Sequence, residues 1–315
     1  MSQNETKKIG LIIGRETDWP EAFITAVSER APDIQAELVK IGGTFMDELC
    51  EYTVIIDRMS HEVPYYRTYV KFAAMQGTYI INDPFVWSAD SRFFGTAMAN
   101  KLGLKSPRTI ALPNKDVDTD VVPDSFRNLV YPMDWEGIID YVGVPAIFKE
   151  AESGGRRLSF RVHSVDELIQ RYDESGTRTM ILQELIKGGD HIHCYVIGME
   201  KVLILNFLPG ENRYLKGATS TLNQEQQEQI TQSSRAISRA YGYDINMIEY
   251  LLTDDEIIVI NATNPSPLID RKLLSPLHFD WLINATAELA IDRVQRPLPQ
   301  RTTFQIKELT EILTP

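Results

Sequence analysis

Cysteine is scarce in this chain. Cys50 and Cys194 stand far apart with no C-x-x-C spacing, so a disulfide framework is excluded, and two buried thiols in a reducing cytoplasm are expected. Long apolar runs are missing as well. The opening stretch MSQNETKKIGLIIG is polar and then enters an apolar run too short for a signal peptide or a membrane span. No G-x-G-x-x-G turn follows that run, which argues against a dinucleotide-dependent oxidoreductase. No internal repeat or low-complexity tract is present. Basic charge is in deficit, with 32 Lys and Arg against 44 Asp and Glu, a formal charge of −12. Such a surface repels nucleic-acid phosphates and anionic lipid, so neither is an expected partner. A bound phosphate would need a local basic cluster.

What is present is a chain of 315 residues, too long for one small core and suited to two or three lobes. Residues 8–14 (KIGLIIG) predict a buried strand, and Phe23, Ile24 and Val27 lie at helical spacing after Pro20. Strands are expected over 36–41, 53–57 and 78–81, and a helix over 66–75. This alternation predicts a parallel, doubly wound sheet whose ligands sit beyond the carboxyl ends of its strands. Those ends are Gly14-Arg15-Glu16 and Asp57-Arg58-Met59-Ser60-His61. Further on, a helical segment is expected over 90–103, irregular chain over 113–143, a strand over 145–149 and a glycine turn at Ser153-Gly154-Gly155. The spacing from Ser164 to Glu167 matches a capping box. A strand over 180–185, a hairpin of 193–198 with 201–207, a helix capped within 221–224 and a hairpin of 247–252 with 257–261 complete the pattern. The tail after 297 is polar.

The segments 89–108, 145–149, 153–155, 182–186, 190–198 and 246–270 resemble, in order and spacing, the nucleotide-binding core of the ATP-grasp superfamily, as in glutathione synthetase, D-alanine–D-alanine ligase and ribosomal glutamate ligase. The nearest likeness is to a bacterial group close to the ribosomal glutamate ligase type. The resemblance implies an α/β protein with an N-terminal Rossmann-like parallel-sheet domain (1–105). Two α+β lobes (106–184 and 185–296) would clasp ATP, with a polar tail over 297–315. ATP and Mg²⁺ are the implied cofactors, and a homodimer the implied assembly.

Carried over residue by residue, the resemblance makes Lys149 the lysine on the α/β-phosphates, a point charge at a strand end. Arg92 stands where the family usually has a second phosphate-contacting lysine. Glycine lets backbone N–H groups approach an anion closely, which suits Ser153, Gly154 and Gly155 to fold over phosphates. Gln183, Glu184, Leu185 and Ile186 resemble the hinge that pairs with adenine, and Asp190 stands at the place of the carboxylate on the ribose. Glu249, Asn261 and Asn264 stand at the Mg²⁺-binding positions, although Asn261 replaces the usual acid and removes one negative charge. Glu249 and Asn261 are expected to lie opposite each other only if the hairpin loop has odd length. Arg213 and Lys216 are the candidate catalytic cations facing the γ-phosphate. Arg15, Arg58, His61 and Arg271 are candidate substrate contacts, with Glu16, Tyr65 and Arg67 nearby. His193 takes the place of a family arginine and reads as a packed or hydrogen-bonded strand histidine. His191-Ile192-His193 lacks a third ligand for a metal.

The implied activity is an ATP-dependent carboxylate–amine ligase acting through an acyl-phosphate, with a small carboxylate and an amine (an amino acid or peptide among them) as partners. Two other readings stand beside it: a small-molecule kinase on the same fold, and a non-catalytic nucleotide-binding protein, favoured by Asn261 and His193.

Overall fold

The computed structural model describes residues 7–117, 128–152, 158–215, 222–253 and 256–300. Its strands form three sheets, of order β2-β1-β3-β4, β5-β8-β6-β7 and β11-β10-β9-β12-β13. The chain divides into two compact units. The first is Met1–Ala89 with His193–Met247 and Pro265–Pro315, and the second is Asp90–Ile192 with Ile248–Asn264.

In the first unit, β1 (Lys7–Ile12), α1 (Asp18–Arg30), β2 (Ile34–Leu38), β3 (Val54–Asp57), α2 (Pro64–Met75) and β4 (Tyr79–Ile81) follow the expected order, and a short helix α3 (Pro84–Ser88), not expected from the sequence, is added after them. β1 pairs in parallel with β2 and β3, and β3 with β4. Successive strand residues point to opposite faces. Ile9, Leu11, Val54 and Ile56 therefore pack in one core with Trp19, Phe23 and Val27, while Ile12, Ile55 and Ile80 pack in another with Val70 and Ala73 of α2. Helices thus cover both faces, the doubly wound arrangement.

The second unit carries α4 (Arg92–Lys101), β5 (Thr109–Leu112), α5 (Trp135–Val142), β6 (Ala146–Glu150), β7 (Ser159–Val162), α6 (Val165–Asp173) and β8 (Met180–Glu184). Leu112, Ile138, Val142, Phe148, Leu168 and Leu182 form its core. Between and beyond these segments run β9 (Asp190–Ile197), β10 (Lys201–Leu208), β11 (Arg213–Tyr214), α7 (Gln224–Tyr241), β12 (Ile245–Leu252), β13 (Ile257–Asn261) and α8 (Pro276–Gln295).

Three local expectations need correction. Residues 113–143 are not irregular throughout: Asp134 caps α5 by accepting from Gly137 N at 2.9 Å, and Ile138 and Val142 bury one helical face. The Ser164 box is displaced, because Glu167 reaches back to His163 N at 2.8 Å rather than to the cap residue. α7 is capped by Asn223, within the expected 221–224, with Gln226 closing a complete capping box. Finally, Cys194 is buried but Cys50 is half-buried; both are free thiols. Burial pushes the Cys194 thiol up to about 12. Among the described residues no helix is long and apolar enough to cross a membrane.

Candidate functional site: a cleft in the second unit

β6 sets the first wall. Its alternation sends Ala146, Phe148 and Glu150 into the core and leaves Ile147 and Lys149 on the other face. There they line a cleft of about 490 Å³ together with Arg92, Gln183, Glu184, Leu185, Ile186, His191, Glu249, Leu251, Ile260 and Asn261. Lys149 Nζ donates to Gln183 Oε1 at 2.8 Å. Burial, then the neighbouring Arg92 guanidinium, lowers the Lys149 ammonium to about 8, opposed by the Glu249 carboxylate. Arg92, at the start of α4, donates to the carbonyls of Glu150 at 2.8 Å and Glu152 at 2.5 Å. It is therefore fastened beside the end of β6.

The opposite wall comes from the β12–β13 hairpin. Its connection, 253–256, has four residues, an even number. Tyr250 pairs with Val259, Leu251 with Ile258 and Leu252 with Ile257, so an unbroken ladder would not set Glu249 against Asn261. The condition that the two lie opposite only across an odd loop is thus overturned, since the pairing forms across an even one. The register shifts between Glu249 and Tyr250, Ile260 is the extra residue, and Glu249 faces Asn261. The bulge explains why two consecutive residues, Ile260 and Asn261, both line the cleft. Asn261 Nδ2 donates to Glu249 Oε1 at 3.1 Å.

The segment 183–186 closes the floor. Arg108 grips the Glu184 carboxylate through Nε at 3.2 Å, Nη2 at 3.0 Å and its backbone N–H at 3.1 Å. The guanidinium holds that carboxyl below its usual range. The apolar side chains of Leu185, Ile186, Ile147, Leu251 and Ile260 suit a flat ring. Gly189, at φ +91°, then passes the backbone of β12: an added Cβ would lie 2.6 Å from Leu252 O, so only glycine permits the approach.

The structure thus gathers Arg92, Lys149, Gln183, Glu184, Leu185, Ile186, Glu249 and Asn261 on one cleft. Among the described residues, exposed Asp190 and half-buried Asn264 are not in its lining. Ser153, Gly154, Gly155 and Lys216 lie outside the described residues. Sequence reasoning did not place His191 in the cleft, although the period-2 pattern of β9 was its signal. Nor did it identify Arg108, Thr96 and Thr109, whose role appears only through contacts distant in sequence.

In the first unit, His193 is buried, stacked 4.4 Å from Phe207, with Nδ1 at 2.9 Å from Tyr214 Oη. It is a packed histidine. Arg213 is paired with Glu211 at 2.6 Å. Arg58 is buried over Trp19. It donates to Glu16 through Nε at 2.6 Å and to Pro267 O at 2.6 Å, so its acid partner is internal. His61 stacks on Trp87 at 4.9 Å. Arg15 is exposed, and Arg271 lies over Phe279 at 4.1 Å.

The donor set of the cleft fits a hard divalent cation. Glu249 offers a carboxylate and Asn261 an amide oxygen on paired positions. Among the described residues no group of three or more His, Cys, Asp or Glu could hold a metal by itself. Magnesium characteristically takes one or two carboxylates and completes its shell with phosphate oxygens and water.

The fold is the ATP-grasp fold. Aligned solved structures include a RimK-domain ATP-grasp protein from Sphaerobacter thermophilus, with a TM-score of 0.65 at 15% identity over 90% of this chain and 99% of that one. D-alanine–D-alanine ligase from Bacillus anthracis aligns with a TM-score of 0.63 at 16% identity, over 92% and 98% of the two chains. The macrocyclase MdnC from Microcystis aeruginosa, solved with a precursor peptide, aligns at 0.58 and 14% identity over 91% and 99%. No protein-family model matches the sequence, and no curated protein matches it.

Proposed function

We propose that this chain is an ATP-dependent carboxylate–amine ligase that binds Mg·ATP in the cleft of its second unit. The observation that carries the reading is the placement of the Lys149 ammonium and the Glu249 carboxylate on one cleft whose floor is the segment 183–186. A cation, a hard-metal ligand and an apolar slot are the three things a purine triphosphate requires. The ATP-grasp fold supports the same reading, and its neighbours include D-alanine–D-alanine ligase and the ATP-grasp ligase PsnB, solved with a precursor peptide.

On this reading Leu185 and Ile186 flank the purine, and the backbone at 184–186 meets its edge. Lys149 and Arg92 bind phosphate oxygens. Glu249 and Asn261 would hold Mg²⁺, with Asn264 a further candidate; the ion supplies charge neutralisation between the phosphates. The substrate carboxylate takes the γ-phosphoryl group, forming an acyl-phosphate and ADP. An amine then attacks the acyl carbon, phosphate leaves, and the amine loses a proton. Arg213 and Lys216 are the proposed cations for the transferred group, and Arg15, Arg58, His61 and Arg271 the proposed substrate contacts. The chain's contribution is positioning and charge stabilisation. The partners are a small or peptide carboxylate and an amine.

One observation favours a second reading, a nucleotide-binding protein with a weakened metal site: Asn261 brings an amide, not a second carboxylate, to Glu249. Both readings face one experiment. The protein is incubated with Mg·ATP and pools of amino acids and peptides, and ADP, phosphate and coupled product are measured. Amine-dependent coupled product supports the ligase. Phosphorylated acceptor without amine dependence makes the protein a kinase. ATP binding without turnover supports the second reading, and no ATP binding overturns both.

A further inference from the structure

Gln183 is buried at the back of the cleft, and its amide has an enforced direction. Its Nε2 lies 3.0 Å from Thr109 Oγ1 and 3.5 Å from Thr96 Oγ1. Each hydroxyl already spends its proton on a backbone carbonyl: Thr109 donates to Pro107 O at 2.9 Å and Thr96 to Arg92 O at 3.0 Å. Both hydroxyls can therefore only accept from Gln183. The NH₂ group must face them, and the carbonyl must face Lys149, whose Nζ donates to it at 2.8 Å. The reversed amide would set its carbonyl oxygen against two hydroxyl oxygens whose protons are spent, and its NH₂ group against an ammonium.

We propose that Gln183, oriented by Thr109 and Thr96, is a positioning residue that holds the Lys149 ammonium in the cleft on a neutral acceptor, leaving its charge and its other protons for a polyphosphate. The inference rests on the reading of the cleft as the nucleotide site. A carboxylate at 183 would hold Lys149 as firmly but cancel its charge. An apolar residue would leave a flexible four-carbon stem unanchored. A carbonyl acceptor does neither.

The test measures dissociation constants of ADP and of adenosine by calorimetry for the wild type and for K149A, Q183L, Q183E, T109V and the double variant K149A/Q183L. A residue acting through Lys149 alters phosphate binding and not base binding. Q183L is expected to weaken ADP about tenfold, the worth of a hydrogen bond to a charged group, and to leave adenosine within about twofold. T109V should show a smaller loss with the same selectivity. In the K149A background, Q183L should add nothing. Q183E, which keeps the shape, should weaken ADP at least as much as Q183L. Equal losses for adenosine and ADP, additive losses in the double variant, or unchanged ADP affinity in Q183E would overturn the inference. If Q183L does not fold, T109V and Q183E decide it. A K149A variant that binds ADP like the wild type would instead sink the nucleotide-site reading itself.

Discussion

Glu249 and Asn261 face each other across a β-bulge, joined by a 3.1 Å hydrogen bond from the Asn261 amide. Replacing that amide by a carboxylate sets two like charges on directly opposed strand positions. N261D should therefore lower the melting temperature of the metal-free protein, by a loss of order 1 kcal/mol. Millimolar Mg²⁺ should restore it, because the second carboxylate turns a weak site into a stronger one. Differential scanning calorimetry with and without Mg²⁺ reads both effects. A melting temperature indifferent to the metal in N261D would remove Glu249 and Asn261 from consideration as a cation site.

The depressed ammonium of Lys149 sets a pH window. Its folded value of about 8 lies under its ordinary 10.5, so between these values the unfolded chain binds more protons. Ligand-free stability consequently rises with pH across the window. Nucleotide binding runs the other way, since phosphate needs the protonated form. ADP affinity should hold below about pH 8 and fall above it, approaching tenfold per pH unit. K149M should bind weakly at every pH and lose the slope. Titrations at pH 7 and pH 9 suffice, and equal affinities in the wild type would contradict the assignment.

Gly189 combines a positive φ of 91° with a near approach to Leu252 O. G189A introduces both backbone strain and a collision with main chain that cannot rotate away, and should cost about 2–3 kcal/mol. Because the segment leads directly from 183–186, adenosine binding should weaken along with stability. G188A meets no atom within 4 Å at its added Cβ; it carries only the φ strain and should be the milder change in urea denaturation.

Much of this arrangement was legible because it follows local rules. KIGLIIG announced a buried strand, and the strand Ala146–Glu150 placed Lys149 on the face away from its core. The bulge was not legible. Loop parity is a rule for unbroken ladders, and nothing in INMIEYLL or IIVIN marks Ile260 as the inserted residue. α8 went unread for a different reason. Phe279, Leu282, Ile283, Ala287, Ala290, Ile291 and Val294 are all buried, and a helix covered on several sides shows no single apolar stripe. By sequence, Gln183 reads with its neighbours as part of a hinge. Its hold on Lys149 depends on Thr96 and Thr109, 87 and 74 positions away, and separations of that size leave no trace in a local pattern.

Asp244 anchors a buried polar network in the first unit. Its carboxylate accepts from Tyr79 Oη at 2.6 Å and from Arg293 Nη2 at 2.8 Å, with side-chain exposures of 1% for the acid and 12% for the arginine. Burial and this carboxylate together push the Tyr79 hydroxyl well above its usual range. Truncating one partner of such a pair leaves an uncompensated charge, so D244A should cost about 3–5 kcal/mol. D244N keeps an acceptor for Tyr79 and should cost less. R293M removes the cation but leaves the acid bonded to Tyr79, and D244A/R293M removes both charges. The double variant should then be more stable than the sum of the single losses predicts, because each single change strands the other charge. Urea midpoints at constant m-value give the comparison. Strict additivity would mean that Asp244 and Arg293 act independently despite their contact.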